Sequence, residues 1–106
     1  MTRATVKPGI CGFTAKIEAC MDGDCCKIAI ESNCPAIQRL CKELGPLDPF
    51  REITYRGEGP RTLQLASMVL PHAACAVPPA ILKTIEVAAG LALPAEVNVT
   101  IEKAEE

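Results

Sequence analysis

Two stretches of strict two-residue alternation flank the dipeptide Asp22-Gly23, and that arrangement points to a β-hairpin. Before it, Phe13, Ala15, Ile17, Ala19 and Met21 fall on one face and Thr14, Lys16, Glu18 and Cys20 on the other, within Gly12 to Met21. After it, Cys26, Ile28 and Ile30 mark an apolar face within Asp24 to Glu31. Asp-Gly favours a two-residue type I′ turn, whose geometry matches the twist of paired strands. With Asp22 and Gly23 as its central residues, cross-strand partners carry numbers that sum to 45. Ile17 then faces Ile28, Ala15 faces Ile30, Ala19 faces Cys26 and Glu18 faces Lys27, an apolar side and an oppositely charged side that agree.

The same register has a chemical consequence. Continued without a bulge to the open end of the hairpin, it sets Cys11 opposite Cys34, roughly 5.5 Å apart at Cα for a hydrogen-bonded pair. Both fall on the side that helices are expected to cover. Beside the turn it sets Cys20 opposite Cys25 on the solvent side, a candidate redox pair able to form a strained, reducible cross-strand disulfide.

Three helices are predicted downstream. Ser32-Asn33-Cys34-Pro35 reads as a helix start, followed by the apolar stripe Ile37, Leu40, Cys41 and Leu44 and the stop Gly45-Pro46. Thr62 caps a second helix with Leu63, Ala66 and Leu70 on one face, ended by Pro71. Pro78-Pro79 opens a third through Ile81, Leu82, Ile85, Ala88 and Ala89, stopped by Gly90. Between the first two, Pro46, Pro49 and Pro60 with Gly57 and Gly59 break regular structure, although Ile53 and Tyr55 alternate. Val97, Val99 and Ile101 alternate with Asn98, Thr100 and Glu102, so a third strand is expected at the C-terminal end. The expected fold is α+β in two layers: a mainly antiparallel sheet, from the N-terminal hairpin and the C-terminal strand, covered on one face by about three helices.

A chain of 106 residues fits one domain spanning 1–106. Its 11 basic and 13 acidic residues are interspersed and leave a formal charge of −2, which offers no stripe for phosphate and no face for anionic lipid; neither nucleic acid nor membrane is expected as a partner. No apolar run approaches the roughly 20 residues that span a bilayer, and Met1 to Ile10 lacks the apolar centre of an export signal, so a cytoplasmic setting is expected. The cysteine count of seven is odd, and the aliphatic residues suffice for a core, which favours reduced thiols over a disulfide framework.

Cys34 stands where a helix dipole and unpaired N–H groups favour a thiolate, which makes it the first candidate for a reactive thiol. Cys75 precedes Pro78 by three residues and His72 precedes Cys75 by three, so a second helix entrance carries two more ligand-type side chains. If both entrances meet over the end of the sheet, Cys11, Cys34 and Cys75 with His72 form a set suited to tetrahedral zinc, or three thiolates suited to an iron–sulfur cluster. Paired C-x-x-C knuckles are absent, and ordinary packing of cysteines in apolar space is the competing reading. Cys26 and Cys41 occupy core positions, and Cys41 lies about 10 Å along the helix from Cys34. His72 is the one histidine and a conceivable base for a thiol, though a connector histidine that only satisfies backbone groups is the simpler reading. Arg56-Gly57-Glu58-Gly59-Pro60 lacks the lysine and the strand-to-helix setting of a phosphate loop.

The segments Cys11-Gly12-Phe13-Thr14-Ala15, Ser32-Asn33-Cys34-Pro35, Pro71-His72-Ala73-Ala74-Cys75 and Ile85-Glu86-Val87-Ala88-Ala89-Gly90 resemble a family of small uncharacterised prokaryotic proteins found among anaerobes and archaea. The resemblance covers nearly the whole chain and implies a cytoplasmic prokaryotic setting, with no reaction to carry over. Three functional readings follow: a small zinc- or iron–sulfur-binding protein using Cys11, Cys34, Cys75 and His72; a thiol redox or sulfur-transfer protein with Cys34 as nucleophile; and an interaction module with structural cysteines. Its exposed strand edges would admit a second copy in a homodimer.

Overall fold

A computed structural model describes residues 1–105. Its sheet has the order β1-β2-β3, from Thr2–Val6, Ala15–Asp22 and Cys25–Ser32, with both neighbouring pairs antiparallel. Among the described residues four helices follow: α1 (Pro35–Leu44), α2 (Pro49–Glu52), α3 (Arg61–Val69) and α4 (Val77–Ala88). The architecture is α+β, and all the helices that touch the sheet lie on one face. There α1 packs on β3, α4 packs on β1 and β2, and α3 bridges α1 and α4.

The hairpin forms, but with a different centre. Asp22 pairs with Cys25 and Ala15 with Ser32, so partner numbers sum to 47 and the turn is Gly23-Asp24. Gly23 has φ +62 and no other residue of the turn has positive φ, the pattern of a type II′ turn with glycine first. A type I′ turn centred one residue earlier needs positive φ at Asp22 as well, which costs a residue with a Cβ about 1–2 kcal/mol. The shift is two residues, so each side chain keeps its face. Ile17 now opposes Ile30, Ala19 opposes Ile28 and Met21 opposes Cys26 on the core side.

The third strand comes from the other end of the chain. Thr2–Val6 alternates, with Thr2, Ala4 and Val6 toward the core and Arg3 and Thr5 exposed, and Val6 pairs with Ala15. The expected strand at Val97–Ile101 does not form; residues 93–105 carry neither helix nor strand. No strand forms at Ile53 and Tyr55 either, and the one-turn α2 precedes them.

The core lies between the sheet and the helices. Ala15, Ile17, Ala19 and Cys26 supply its floor, with Ile37, Leu40 and Leu44 of α1 and Val77, Ile81 and Ile85 of α4 above them. Burying each large aliphatic side chain contributes roughly 1.5–3 kcal/mol. Among the described residues Glu52 is the one ionisable carboxylate in this interior, 1% exposed. It accepts hydrogen bonds from the N–H groups of Arg61 and Thr62, both at 2.8 Å, and caps α3, whose own N-cap is Pro60.

Candidate functional site

The path of the chain sorts the cysteines between the two ends of the sheet. At the open end, Val6 leaves β1, Ala15 enters β2 and Ser32 leaves β3. The turn end holds Gly23 and Asp24. Helix α1 begins immediately after Ser32, and Leu47 beyond it pairs with Cys26 near the turn, so α1 runs from the open end to the turn end. Ala89, at the end of α4, lines a cleft with Gly23 and Asp24, so α4 runs the same way. Both helices therefore present their N-terminal ends at the open end. The 7–14 loop and the 70–76 connector lie there too, and with them Cys11, Cys34, His72 and Cys75.

Cys34 is the N-cap of α1, with extended backbone (φ −73, ψ 118), and its side chain is half-buried against the core. Its N–H donates to Ser32 Oγ at 3.2 Å and its carbonyl accepts from Gln38 N–H at 3.0 Å. Gln38 Nε2 also donates to the Ser32 carbonyl at 2.8 Å, which holds this corner from both sides. No side chain caps α1, and Pro35 contributes no N–H, so the positive end of the helix is left uncompensated beside the sulfur-bearing residue. Cys75 is likewise half-buried against the core, one residue before the N-cap Ala76 of α4, which no side chain caps. Its N–H donates to the His72 carbonyl at 3.3 Å and closes the turn that leads into the helix. His72 itself is exposed.

Cys11 is exposed on a turn closed by Gly12 N–H donating to the Gly9 carbonyl at 3.0 Å. It stands outside the ladder, which ends at Ala15 and Ser32, so the cross-strand pairing of Cys11 with Cys34 does not occur. Among the described residues no three His, Cys, Asp or Glu side chains converge as metal ligands. Cys11, Cys34, Cys75 and His72 thus share an end of the molecule, and no three of them meet as ligands there.

The remaining cysteines are apart from this end. Cys20 opposes Lys27 and Cys25 opposes Asp22, so these two exposed thiols are diagonal neighbours and not the directly opposed pair expected. Lys27 Nζ meets Asp22 Oδ2 at 2.9 Å along the other diagonal of the same four residues. The Lys27 ammonium holds the Asp22 carboxyl below its ordinary value, through the hydrogen bond first and the charge second. Cys26 is fully buried, and desolvation pushes its thiol up. Cys41 is half-buried on α1.

Two features were not visible in the linear pattern. Glu52 finds its partners nine and ten residues away, through a one-turn helix that no periodicity announces. A cleft of about 430 Å³ at the turn end is lined by Met21, Asp24, Cys25, Asp48, Pro49 and Phe50 among others, residues from three separate segments.

One protein-family model, described as a family of unknown function (DUF6951), matches residues 2–101. No curated protein and no solved structure matches the chain.

Proposed function

The chain belongs to the family of unknown function DUF6951, so its chemistry has to be argued from its own side chains, and we propose that it is a thiol–disulfide exchange protein working at the open end of its sheet. Cys34 is the attacking thiol in this reading, and Cys75 or Cys11 resolves. The observation that carries it is the placement of two half-buried thiols, Cys34 and Cys75, at the entrances of two uncapped helices that start from the same end of the sheet. A helix N-terminus favours a thiolate over a thiol, and partial burial limits access to sulfurs presented in the right direction. The adjoining 7–14 loop exposes Ile10 and Phe13 beside Cys11, an apolar surface for a protein that carries the disulfide.

The Cys34 thiolate attacks one sulfur of the partner disulfide, which forms a mixed disulfide and releases the other partner sulfur as a thiolate. Cys75 or Cys11 then loses its proton to solvent or to His72 and attacks the Cys34 sulfur. An intramolecular disulfide forms and the second partner thiolate leaves, so two electrons pass to the partner and the chain is oxidised. A cellular thiol restores the reduced form, which suits a cytoplasmic setting. The net charge of −2 suits a protein or small-molecule disulfide better than a nucleic acid.

Glutathione disulfide is the probe, offered under anaerobic conditions to the wild type and to Cys34→Ser, Cys75→Ser, Cys11→Ser and Cys11→Ser/Cys75→Ser variants. Removal of the resolving thiol should trap glutathione on Cys34, seen by peptide mass, whereas the wild type should reach an internal disulfide. No adduct at Cys34 in the double variant rejects the reading.

A second reading, a zinc ion or an iron–sulfur cluster held by Cys11, Cys34 and Cys75 with His72, draws on the shared location of these four residues. It requires the 7–14 loop and the 70–76 connector to close on the helix ends. Protein purified anaerobically should then carry close to one equivalent of metal, and less than about a tenth of an equivalent counts against it.

A further inference from the structure

Residues 95–102 carry the alternation of a half-buried strand and have nothing to bury it against. Val97, Val99 and Ile101 are 59%, 80% and 90% exposed, while the intervening Asn98 and Thr100, flanked by Glu96 and Glu102, form the polar side. Single exposed aliphatics are ordinary, but three in strand register on an unpaired segment form a strand without a sheet.

The sheet, for its part, has an edge of matching length and chemistry. β1 is five residues long and an outer strand, and no backbone hydrogen bond is made on its outer side by the described residues. The other edge, β3, is already partly taken, because Cys26 and Leu47 exchange N–H to carbonyl bonds of 2.7 and 2.9 Å. Along β1, Thr2, Ala4 and Val6 face the core side, and Arg3 on the other face is followed just beyond the strand by Lys7. The polar side of the C-terminal segment carries Glu96 and Glu102, so apolar faces apolar and acid faces base in one pairing. β3 offers Lys27 and Glu31 on its outer face, which is not complementary to two acids.

We propose that Val97–Ile101 is a strand-donating arm that pairs antiparallel with β1 of a second copy of this chain, with each copy's arm completing the other's sheet. In the register that sets Val97 opposite Val6, Val99 opposite Ala4 and Ile101 opposite Thr2, Glu96 lies opposite Lys7 and Glu102 diagonal to Arg3. The partner is a second copy because α4 delivers its own arm at the turn end, where β1 begins with Thr2 opposite Ala19. Running straight on from there, the arm lies parallel to its own β1, the slightly weaker pairing, whereas a twofold partner offers the antiparallel one. Reciprocal exchange covers both exposed edges at once.

Light scattering on the full chain should give a dimer of the 11.3 kDa protomer. Hydrogen exchange should show protected amides in Val97–Ile101 that lose protection on dilution to monomer. Asn98, opposite Thr5, carries a ladder donor in this register, so Asn98→Pro removes it from a segment with no packing role in the protomer and should leave the circular dichroism of the body unchanged while weakening the dimer at least about tenfold. Arg3→Glu/Lys7→Glu should weaken it as well. A monomer at all concentrations overturns the proposal, as does a dimer indifferent to Asn98→Pro or to the double charge reversal. Protection of 97–101 that survives dilution also overturns it, because the arm then docks on its own sheet.

Discussion

Thr62 donates its hydroxyl to Glu52 Oε1 at 2.6 Å and its N–H to the same oxygen at 2.8 Å, in a position where neither residue meets solvent. The second carboxylate oxygen accepts the Arg61 N–H at 2.8 Å. Glu52 thus does for α3 what an N-cap side chain does elsewhere, and does it from another segment. The Glu52→Ala change strands the Thr62 N–H and hydroxyl in the interior and the Arg61 N–H at its edge, and hydrogen bonds to a charged group contribute roughly 1.5–3 kcal/mol each. The bonds are not independent, so a total loss of about 3 kcal/mol or more is expected in urea denaturation, with Glu52→Gln intermediate. A variant as stable as the wild type shows that α3 is capped by solvent.

Thiol labelling should follow burial. Cys11, Cys20 and Cys25 are exposed, Cys34, Cys41 and Cys75 are half-buried, and Cys26 is inaccessible with its thiol pushed up by desolvation. Cys26 is also locked by two backbone bonds to Leu47. Its alkylation requires β3 to leave the core, so mass spectrometry after iodoacetamide should find it modified last, at least about a hundredfold slower than Cys25. Equal rates place the opening of this strand within ordinary local fluctuation. Cys34 labelling faster than Cys41 and Cys75, which are equally half-buried, separates reactivity from access.

The Asp22–Lys27 ion pair should titrate visibly. Its carboxyl is held below the ordinary 3.8, so whatever the pair contributes is present above 3.8 and is lost as pH falls through the lower folded value. The ammonium is raised above 10.5, so the contribution is complete below 10.5 and is lost as pH rises through the raised value. Both groups are exposed and the pair is screened by salt. An NMR titration of the Asp22 carboxyl should return to its ordinary value in Lys27→Met and move toward it in about 1 M salt. No change in Lys27→Met assigns the shift to another neighbour.

What was readable in the sequence follows from which periodicities are unambiguous. Helix α1 was bounded on both sides by Pro35 and Gly45, and its stripe of Ile37, Leu40 and Leu44 is buried as the spacing requires. The hairpin was readable as well, but its register was not, because a shift of two leaves every residue on its face and the burial pattern cannot tell 45 from 47. Only the backbone preference at Gly23 and Asp24 decides, and Asp-Gly obscures it by suggesting the commoner turn. That slip removed the expected meeting of Cys11 with Cys34, while the position of Cys34 and Cys75 at helix entrances depends on helix direction and not on register. Thr2–Val6 and Val97–Ile101 carry the same alternation, and five residues of pattern do not say which has a partner. Strand pairing is decided by where the chain returns, and that is set by α3 and α4.

The register itself yields the sharpest mutational test. Gly23 holds φ +62 with open space around an added Cβ, so Gly23→Ala meets no clash and changes only the backbone preference. That preference amounts to about 1–2 kcal/mol against a residue with a Cβ, which for a domain of this size lowers the melting temperature by about 4–15 °C. Asp24 has no positive φ and is exposed, so Asp24→Ala should change stability by no more than about 0.5 kcal/mol. A turn centred on Asp22 and Gly23 would instead make Asp22→Ala the costly change and leave Asp24 in the ladder. Thermal denaturation of the three variants distinguishes the two centres. A large loss at Asp22 that persists in Lys27→Met, where the ion pair is already gone, would place the turn one residue earlier and restore the alignment of Cys11 with Cys34.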